Sequence, residues 1–566
     1  MIHSAPYVKP MIGCLTGFLV SLASRAQCDD LLKNAEPISG IVFDDRNENG
    51  VRDASEPGIP DVSISNGCDV VLTDSSGQYQ TILAPGQILS ISQPSGYTVP
   101  VDENQLPQFF YLHYPEGSPS FASGERIDWK YATIEPTGPL PNSIDFPLHT
   151  LARQEDRFTA HGFADTQAKT EIDQDMLRED LVNTLLGNPY EAEFTLTMGD
   201  VVFDNLDLYD RHKKMMALIG IHNWNLPGNH DVNFASPNAD LANETYKRHF
   251  GPTYYSFNYG KVHIVALNNV EYAGAEAREK REGRPYRGYI SDDQIRWLEQ
   301  DLARVPKDHL ILIATHIPLV AEATDGELEI TGPGTQNFNR LLELLKPFEN
   351  IYAIAGHDTS NSWKVEVSHK HGWHGQPWIA HTLAEARGAG WHNGPRDTRG
   401  VSDAMMADGN PNGFYLLKFE GPSLIPEFIP FPFGSDAAQG MRIVLDPEMS
   451  QTGDSSIHRG QLQPGTKVVV NLFDGGPRDS VQLSIDGGPP APMNYVIRKD
   501  PFVEKTVATF PDSFRGFEAE FSSHIWEFEL PGDFALGIHS LVVTSIDEFG
   551  HSRRGALTFE ISDSSR

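Results

Sequence analysis

The sequence predicts a multidomain protein with a central α/β layered core flanked by N- and C-terminal β-sandwich domains. Three observations predict it. The chain has 566 residues, enough for three or four domains at roughly 100–200 residues each. Its middle alternates short apolar strands with helical patterns, and its two ends carry strand-like runs punctuated by Gly, Pro, Asn and Asp. Hydrophobic residues make up 39% of the chain and aromatic ones 10%, a composition that builds cores and argues against a wholly disordered chain.

At the start, Lys9 precedes an apolar run from Met11 to Ala23, followed by Ser24-Arg25-Ala26. This is the layout of a signal peptide over residues 1–26, cleaved after Ala26; a retained anchor is the competing reading. Gln27 before Cys28 does not fit a lipoprotein cleavage site. The expected location is secreted or periplasmic, with no membrane span after signal removal, because no other stretch approaches about 18 consecutive apolar residues. Cys14 leaves with the signal. Cys28 and Cys68 remain, an even pair in an exported chain, which join in one disulfide or stay as two thiols.

Residues 27–100 read as a β-sandwich with short strands at Ile41-Val42-Phe43, Val62-Ser63-Ile64, Val70-Val71-Leu72 and Gly77-Gln78-Tyr79. Between the first two lies a run of oxygen donors: Asp45, Asn47, Asn49, Asp53 and Glu56, with Gly50 at the turn and Val51 offering a backbone carbonyl. That is the ligand pattern of a calcium loop; an Asx-rich turn without an ion is the alternative. The flanks are strands, so it is not an EF-hand. With Gly40–Phe43, Glu56-Pro57-Gly58-Ile59 and Thr73-Asp74-x-x-Gly77-x-Tyr79, the segment resembles the calcium-binding B-type repeats of bacterial surface adhesins, which implies possible cell-surface contact.

Residues 101–150, rich in Pro, Ser and Gly, read as a linker with one or two strands packed on a neighbour. Residues 151–433 form the α/β part. Strands are expected at Phe158–Ala164, Phe194–Met198, His309–Ala314 and Ile351–Ala355. Helices are expected where Met176, Leu177, Leu181 and Leu185 share a face, before Met215-Met216, and after Ser291-x-x-Gln294, which reads as a capping box. From 434 to 566, Val468–Val470, Val481-x-Leu483, His539–Thr544 and Leu557–Ile561 predict a second β-sandwich.

Polar residues recur just past the predicted strands of the middle part. They are Asp165-Thr166-Gln167, Gly199-Asp200, Gly228-Asn229-His230-Asp231, His316 and Gly356-His357-Asp358-Thr359. Ligands bind beyond the carboxyl ends of strands in open α/β sheets. Asp, Asn and His gathered from five strands into one crevice need a divalent metal to neutralise and hold them. Glycines 199, 228 and 356 are expected to let the chain turn sharply there.

This ordered series resembles the calcineurin-like metallophosphoesterases, whose pattern is Asp-x-His, Gly-Asp, Gly-Asn-His-Asp/Glu, a lone His, then Gly-His-x-His. Trp391-His392-x-Gly394, Met406-x-Asp408-Gly409-x-Pro411-x-Gly413-Phe414 and His524-x-Trp526 resemble the C-terminal part of an exported group of that family. The resemblance implies an αββα metallophosphoesterase core and a metal-dependent phosphoric ester hydrolase acting on a phosphate mono- or diester through metal-activated hydroxide. It implies that Asp200 bridges two metals, that Asn229, His316 and His357 complete the second, and that Asp165 and Gln167 hold the first. His230 would protonate the leaving group.

Two positions depart from the family pattern: Gln167 and Thr359 each stand where it has His, and both belong to the first metal. That site is left rich in oxygen, with Asp358 or His381 as candidates to fill the gap. The expected cofactors are Mn, Fe or Zn at the second site, Mn or Mg at a weak first site, and Ca at the N-terminal loop. The alternative reading is a catalytically weak single-metal relative acting as a ligand-binding or surface protein. Lys and Arg number 44 against 77 Asp and Glu, a net charge of −33. That balance argues against nucleic-acid duplex binding and anionic lipid, leaving a small phosphoester as the expected substrate. His369, His371 and His374, with two tryptophans, lie in a loop at 364–378 that is either a solvated loop with aromatic anchors or a lid over the site.

Overall fold

The computed structural model describes residues 27–151, 156–280, 284–320, 322–324, 328–330, 334–391, 395–432, 436–451 and 458–562. The expected signal peptide, Cys14, His392 and Gly394 lie outside the described residues.

Two mixed sheets face each other at the centre. The first has the strand order β3-β2-β1-β10-β11 and is built from β1 (Arg157–Phe163), β2 (Phe194–Met198), β3 (His222–Leu226), β10 (Gly413–Glu420) and β11 (Ser423–Pro430). The second runs β4-β5-β6-β7-β9-β8. Its members are β4 (Tyr255–Tyr259), β5 (Val262–Leu267), β6 (Leu310–Thr315), β7 (Asn350–Ala355), β8 (Trp363–Val367) and β9 (Trp378–Thr382). Strands β1, β2 and β3 are parallel, as are β5, β6, β7 and β9.

Side-chain alternation makes this a four-layer αββα stack. Ile264, Ala266, Leu312 and Ala314 point into the core between the sheets, against Phe158, Phe194 and Trp224 of the first sheet. Their neighbours Val265, Leu267, Ile311 and Ile313 point outward, onto helices α3 (Asp292–Leu302) and α4 (Phe338–Leu345). Buried on both faces, β5 and β6 are apolar except for His263, which pairs with Asp301, and the terminal Thr315. The outer face of the first sheet packs Phe163 and Phe414 on Met176, Leu177 and Leu181, on and just past α1 (Glu171–Leu177), and on Met215 and Met216 of α2 (Tyr209–Met216).

Thr170 and Asp173 cap α1 reciprocally. At α3 the capping box is only half made. Ser291 accepts from the Gln294 amide, but the Gln294 side chain donates to the Asn268 carbonyl at 2.8 Å and so ties the helix to the end of β5.

The N-terminal part is two four-stranded sheets. The stretch 101–150 belongs to them: Phe110–His113 pairs with Gln87–Ile91, and Phe146–Thr150 runs parallel to Glu36–Asp44. Cys28 and Cys68 form a disulfide. The Cys28 amide donates to Asp293 on α3 at 3.2 Å, and Arg296 pairs with Asp29 and Asp69, so the bridge sits against the core. In the loop after the first strand, Asp45 and Glu56 are buried. Their carboxylates accept the amides of Gly50, Arg46 and Asp53 at 2.8–3.0 Å.

The C-terminal part is a four- and a six-stranded sheet closed over one core. A helix from Pro501 to Thr509 interrupts it, capped by Asp500. The Asp-Pro start signal for this helix is in the sequence. Asp408 joins this part to the centre: it accepts from Ser362 N and lies 3.0 Å from His524 Nε2. Among the described residues no helix is long and apolar enough to cross a membrane.

Candidate metal centre

The carboxyl ends of β1, β2, β3, β6 and β7 deliver Asp165, Asp200, Asn229, His316 and His357 to one edge of the stacked sheets. Asp165, Asp200 and His316 bring ligand atoms within 4.8 Å of one another. His316 Nε2 is the hub: Asn229 Oδ1 lies 3.0 Å away, His357 Nδ1 3.2 Å and Asp200 Oδ1 3.3 Å. His316 Nδ1 is 2.9 Å from the Met198 carbonyl. A carbonyl only accepts, so Nδ1 carries the proton and Nε2 presents its lone pair to the cluster.

Backbone strain marks the same residues. Asp165, Asp200 and His357 hold φ of 48°, 49° and 76°, a left-handed conformation that non-glycine residues rarely adopt. Gly199 makes the sharp turn expected of it, with φ of 80°. Gly228 and Gly356 have another reason to be glycine. A Cβ at Gly228 would stand 2.1 Å from Asp200 Oδ1, and one at Gly356 would stand 2.2 Å from Asp165 Oδ2.

On the first-site side, Asp165 accepts from the His357 amide at 2.8 Å and from Gln167 Nε2 at 3.0 Å. Gln167 Oε1 accepts from Arg387 at 3.3 Å. Burial, reinforced by Glu385 and Asp200, pushes the Asp165 carboxyl well up. Burial also pulls His316 down, and takes His357 down to about 3.

His230 stands at the rim. Its ring stacks on Phe203 with centroids 3.8 Å apart, its Nδ1 is 2.6 Å from Asp204 Oδ1, and its Nε2 is 3.9 Å from Asp200 Oδ2. Burial works to lower its pKa, but Asp200 and Asp204 outweigh that and raise it. Asp231, the last residue of the tetrapeptide, is a brace. It accepts from Gly228 N, Val201 N and Tyr209 Oη at 2.8–3.1 Å.

Of the candidates for the gap, Asp358 turns to the Ser360 amide, and His381 is held by Tyr352 and Asp474. Trp373 and Trp378 of the 364–378 stretch pack on the α3–α4 side of the second sheet. Two residues of the site carried no sequence signal. Glu385 and Arg387 follow β9 and lie beside Asp165. Glu385 is fully buried, with no hydrogen-bond partner at either carboxylate oxygen.

These donors fit divalent cations. Asp200, Asn229, His316 and His357 mix imidazole with oxygen, as a transition metal prefers; Asp165, Gln167 and Asp200 offer oxygen alone. Buried carboxylates crowded this closely, one of them without a partner, need positive charge.

Residues 46–123 match the family model described as the N terminal of calcineurin-like phosphoesterase, and residues 382–552 match the C terminal of calcineurin-like phosphoesterase. The chain is a calcineurin-like metallophosphoesterase. The C-terminal match begins at the end of β9, so it takes in β10 and β11 of the first sheet. A solved purple acid phosphatase from yellow lupin (Lupinus luteus) seeds is similar over 70% of this chain and 67% of that one, at 14% identity and a TM-score of 0.33. No curated protein matches. As a calcineurin-like phosphoesterase the protein is a metal-dependent phosphoric ester hydrolase, with a central α/β core between β domains and a divalent metal as its cofactor.

Proposed function

We propose that this phosphoesterase is exported and cleaves a small phosphate mono- or diester at the edge where Asp165, Asp200 and His316 converge. The observation that carries this reading is His230, whose Nδ1 is 2.6 Å from Asp204 and whose Nε2 faces Asp200. Asp200, Asn229, His316 and His357 hold one divalent ion, and Asp165, Gln167 and Asp200 hold the other. Bound there, such ions polarise a phosphoryl oxygen and lower the pKa of a water. Asp204 orients the His230 ring through Nδ1 and, with Asp200, raises its pKa, so Nε2–H is placed to give its proton to the leaving oxygen. Phe203 holds the ring plane. The division into an N-terminal unit, a catalytic unit over 151–433 and a C-terminal unit from 434 belongs to the same proposal.

A panel of aryl phosphomonoesters and phosphodiesters with the purified protein tests this. Metal-dependent release from either class is expected; release from neither, with a single ion bound, would support the second reading. In that reading the protein is a weak single-metal relative that binds a ligand. The contact of Arg387 with Gln167 Oε1 supports it, since it engages an expected ligand atom.

The N-terminal loop is proposed to bind calcium through Asp45, Asn47, Asn49, Val51, Asp53 and Glu56. The buried, inward-turned Asp45 and Glu56 carboxylates support that reading. Millimolar calcium should raise the melting temperature of the full chain, as a ligand of the native state must, and Asp45→Ala should abolish the rise.

A further inference from the structure

We propose that Glu385 is a ligand of the first divalent ion, in place of the imidazole that the family pattern puts at Thr359. The inference rests on the metal assignment proposed above and adds a residue to it.

The chain leaves β9 alongside the exit of β1. The Ala386 amide donates to the Ala164 carbonyl at 2.7 Å, and the Arg387 amide to the Asp165 carbonyl at 3.2 Å. Glu385 is thereby bridged to Ala164, one residue before Asp165. Its side chain is 0% exposed and neither oxygen has a hydrogen-bond partner. Buried polar groups are almost always satisfied, and a carboxylate is among the costliest to leave bare. Glu385 and Asp165 also repel one another, and Asp200 repels both. A bare, buried carboxylate beside the strand end that carries Asp165 offers the oxygen donor that manganese or magnesium prefers.

The other residues nearby do not resolve the charge. Arg387 lies close and eases it, but its donors go to Gln167 Oε1 and to the Gly388 and Ala389 carbonyls. One guanidinium does not balance three carboxylates. Asp358 and His381, the sequence's own candidates for the gap, have partners elsewhere. The oxygen set Asp165, Gln167, Asp200 and Glu385 then has four donors without Thr359.

The test is manganese uptake by the full-length protein, by equilibrium dialysis and elemental analysis, with melting temperatures taken in chelator and in manganese. The unaltered protein should take up two ions per chain. Glu385→Gln should take up one at the same free manganese, its first-site affinity falling at least about 10-fold. Glutamine copies the shape and charge of a protonated glutamate. A structural, neutral Glu385 would therefore leave uptake unchanged, and two ions in both proteins would overturn the proposal.

The melting temperatures should cross. In chelator Glu385→Gln should match or exceed the unaltered protein, having lost an unpaired buried charge; in manganese it should fall below it. Thr359→His, at a partly exposed position, keeps the proposal testable if the glutamine variant does not fold. It should bind no more manganese than the unaltered chain. A rise from one ion to two on adding that histidine would show the gap was never filled. An unaltered protein that takes up no manganese would instead fail the metal assignment itself.

Discussion

Asp200 Oδ1 stands 3.3 Å from His316 Nε2, on residues delivered by strands of two different sheets. The metal centre is therefore a property of the stack, and it depends on the sheets keeping their register at that edge. With Asp200 proposed to bridge the two ions, Asp200→Ala should lower affinity for both. His316→Ala should cost mainly the second, by more than about 100-fold, since even outer partners of metal ligands are worth 10–100-fold. Titration calorimetry with manganese checks both.

His230 offers a test that leaves the metals in place. His230→Asn should lower kcat by about 10²–10⁴-fold, the usual worth of a general acid, with metal content unchanged. Asp204 and Asp200 raise the His230 pKa. A general acid works while protonated, so Asp204→Asn should move the alkaline limb of the rate profile to lower pH. A profile that stays in place in Asp204→Asn would remove His230 from the acid role.

Much of the site was legible because its residues follow buried strands directly, within short Gly-containing motifs. Gly228-Asn229-His230-Asp231 and Gly199-Asp200 carry their geometry locally. Glu385 and Arg387 do not: they sit among Leu383, Ala384, Ala386 and Gly388 with no ligand-like spacing. Only the approach of the post-β9 segment to β1 brings Arg387 to Gln167, 220 residues away in sequence. Strand alternation likewise announced the layers. It could not show that Phe146–Thr150, inside a Pro-rich stretch, pairs back with Glu36–Asp44, because long-range pairing leaves no mark on composition.

The junction between the central and C-terminal parts should depend on pH. Burial lowers the pKa of His524, but its hydrogen bond to Asp408, the Asp408 charge and the Gly475 carbonyl raise it overall. A raised histidine pKa contributes stability that is fully present below the ordinary value of about 6.5 and lost as pH climbs through the folded-state value. Asp408→Asn should therefore destabilise most at acid pH, by about 3 kcal/mol for a broken buried pair. The difference from the unaltered protein should shrink above neutrality in a melting series.

The Cys28–Cys68 bridge closes a separation of 40 residues. Cys68→Ser, or reduction of the native protein, should cost about 2–4 kcal/mol. The loss should show first in the N-terminal sheets and in the contacts of Asp29 and Asp69 with Arg296 on α3. Hydrogen exchange of those segments, compared with and without reductant, reads it out.

The most direct measurement is hydrolysis of an aryl phosphoester by chelator-stripped protein as manganese is returned. The account predicts no turnover without metal, a rate that rises with the ions bound, and none at any manganese concentration for Asp200→Ala. Full turnover by the stripped protein, or by Asp200→Ala, would contradict it.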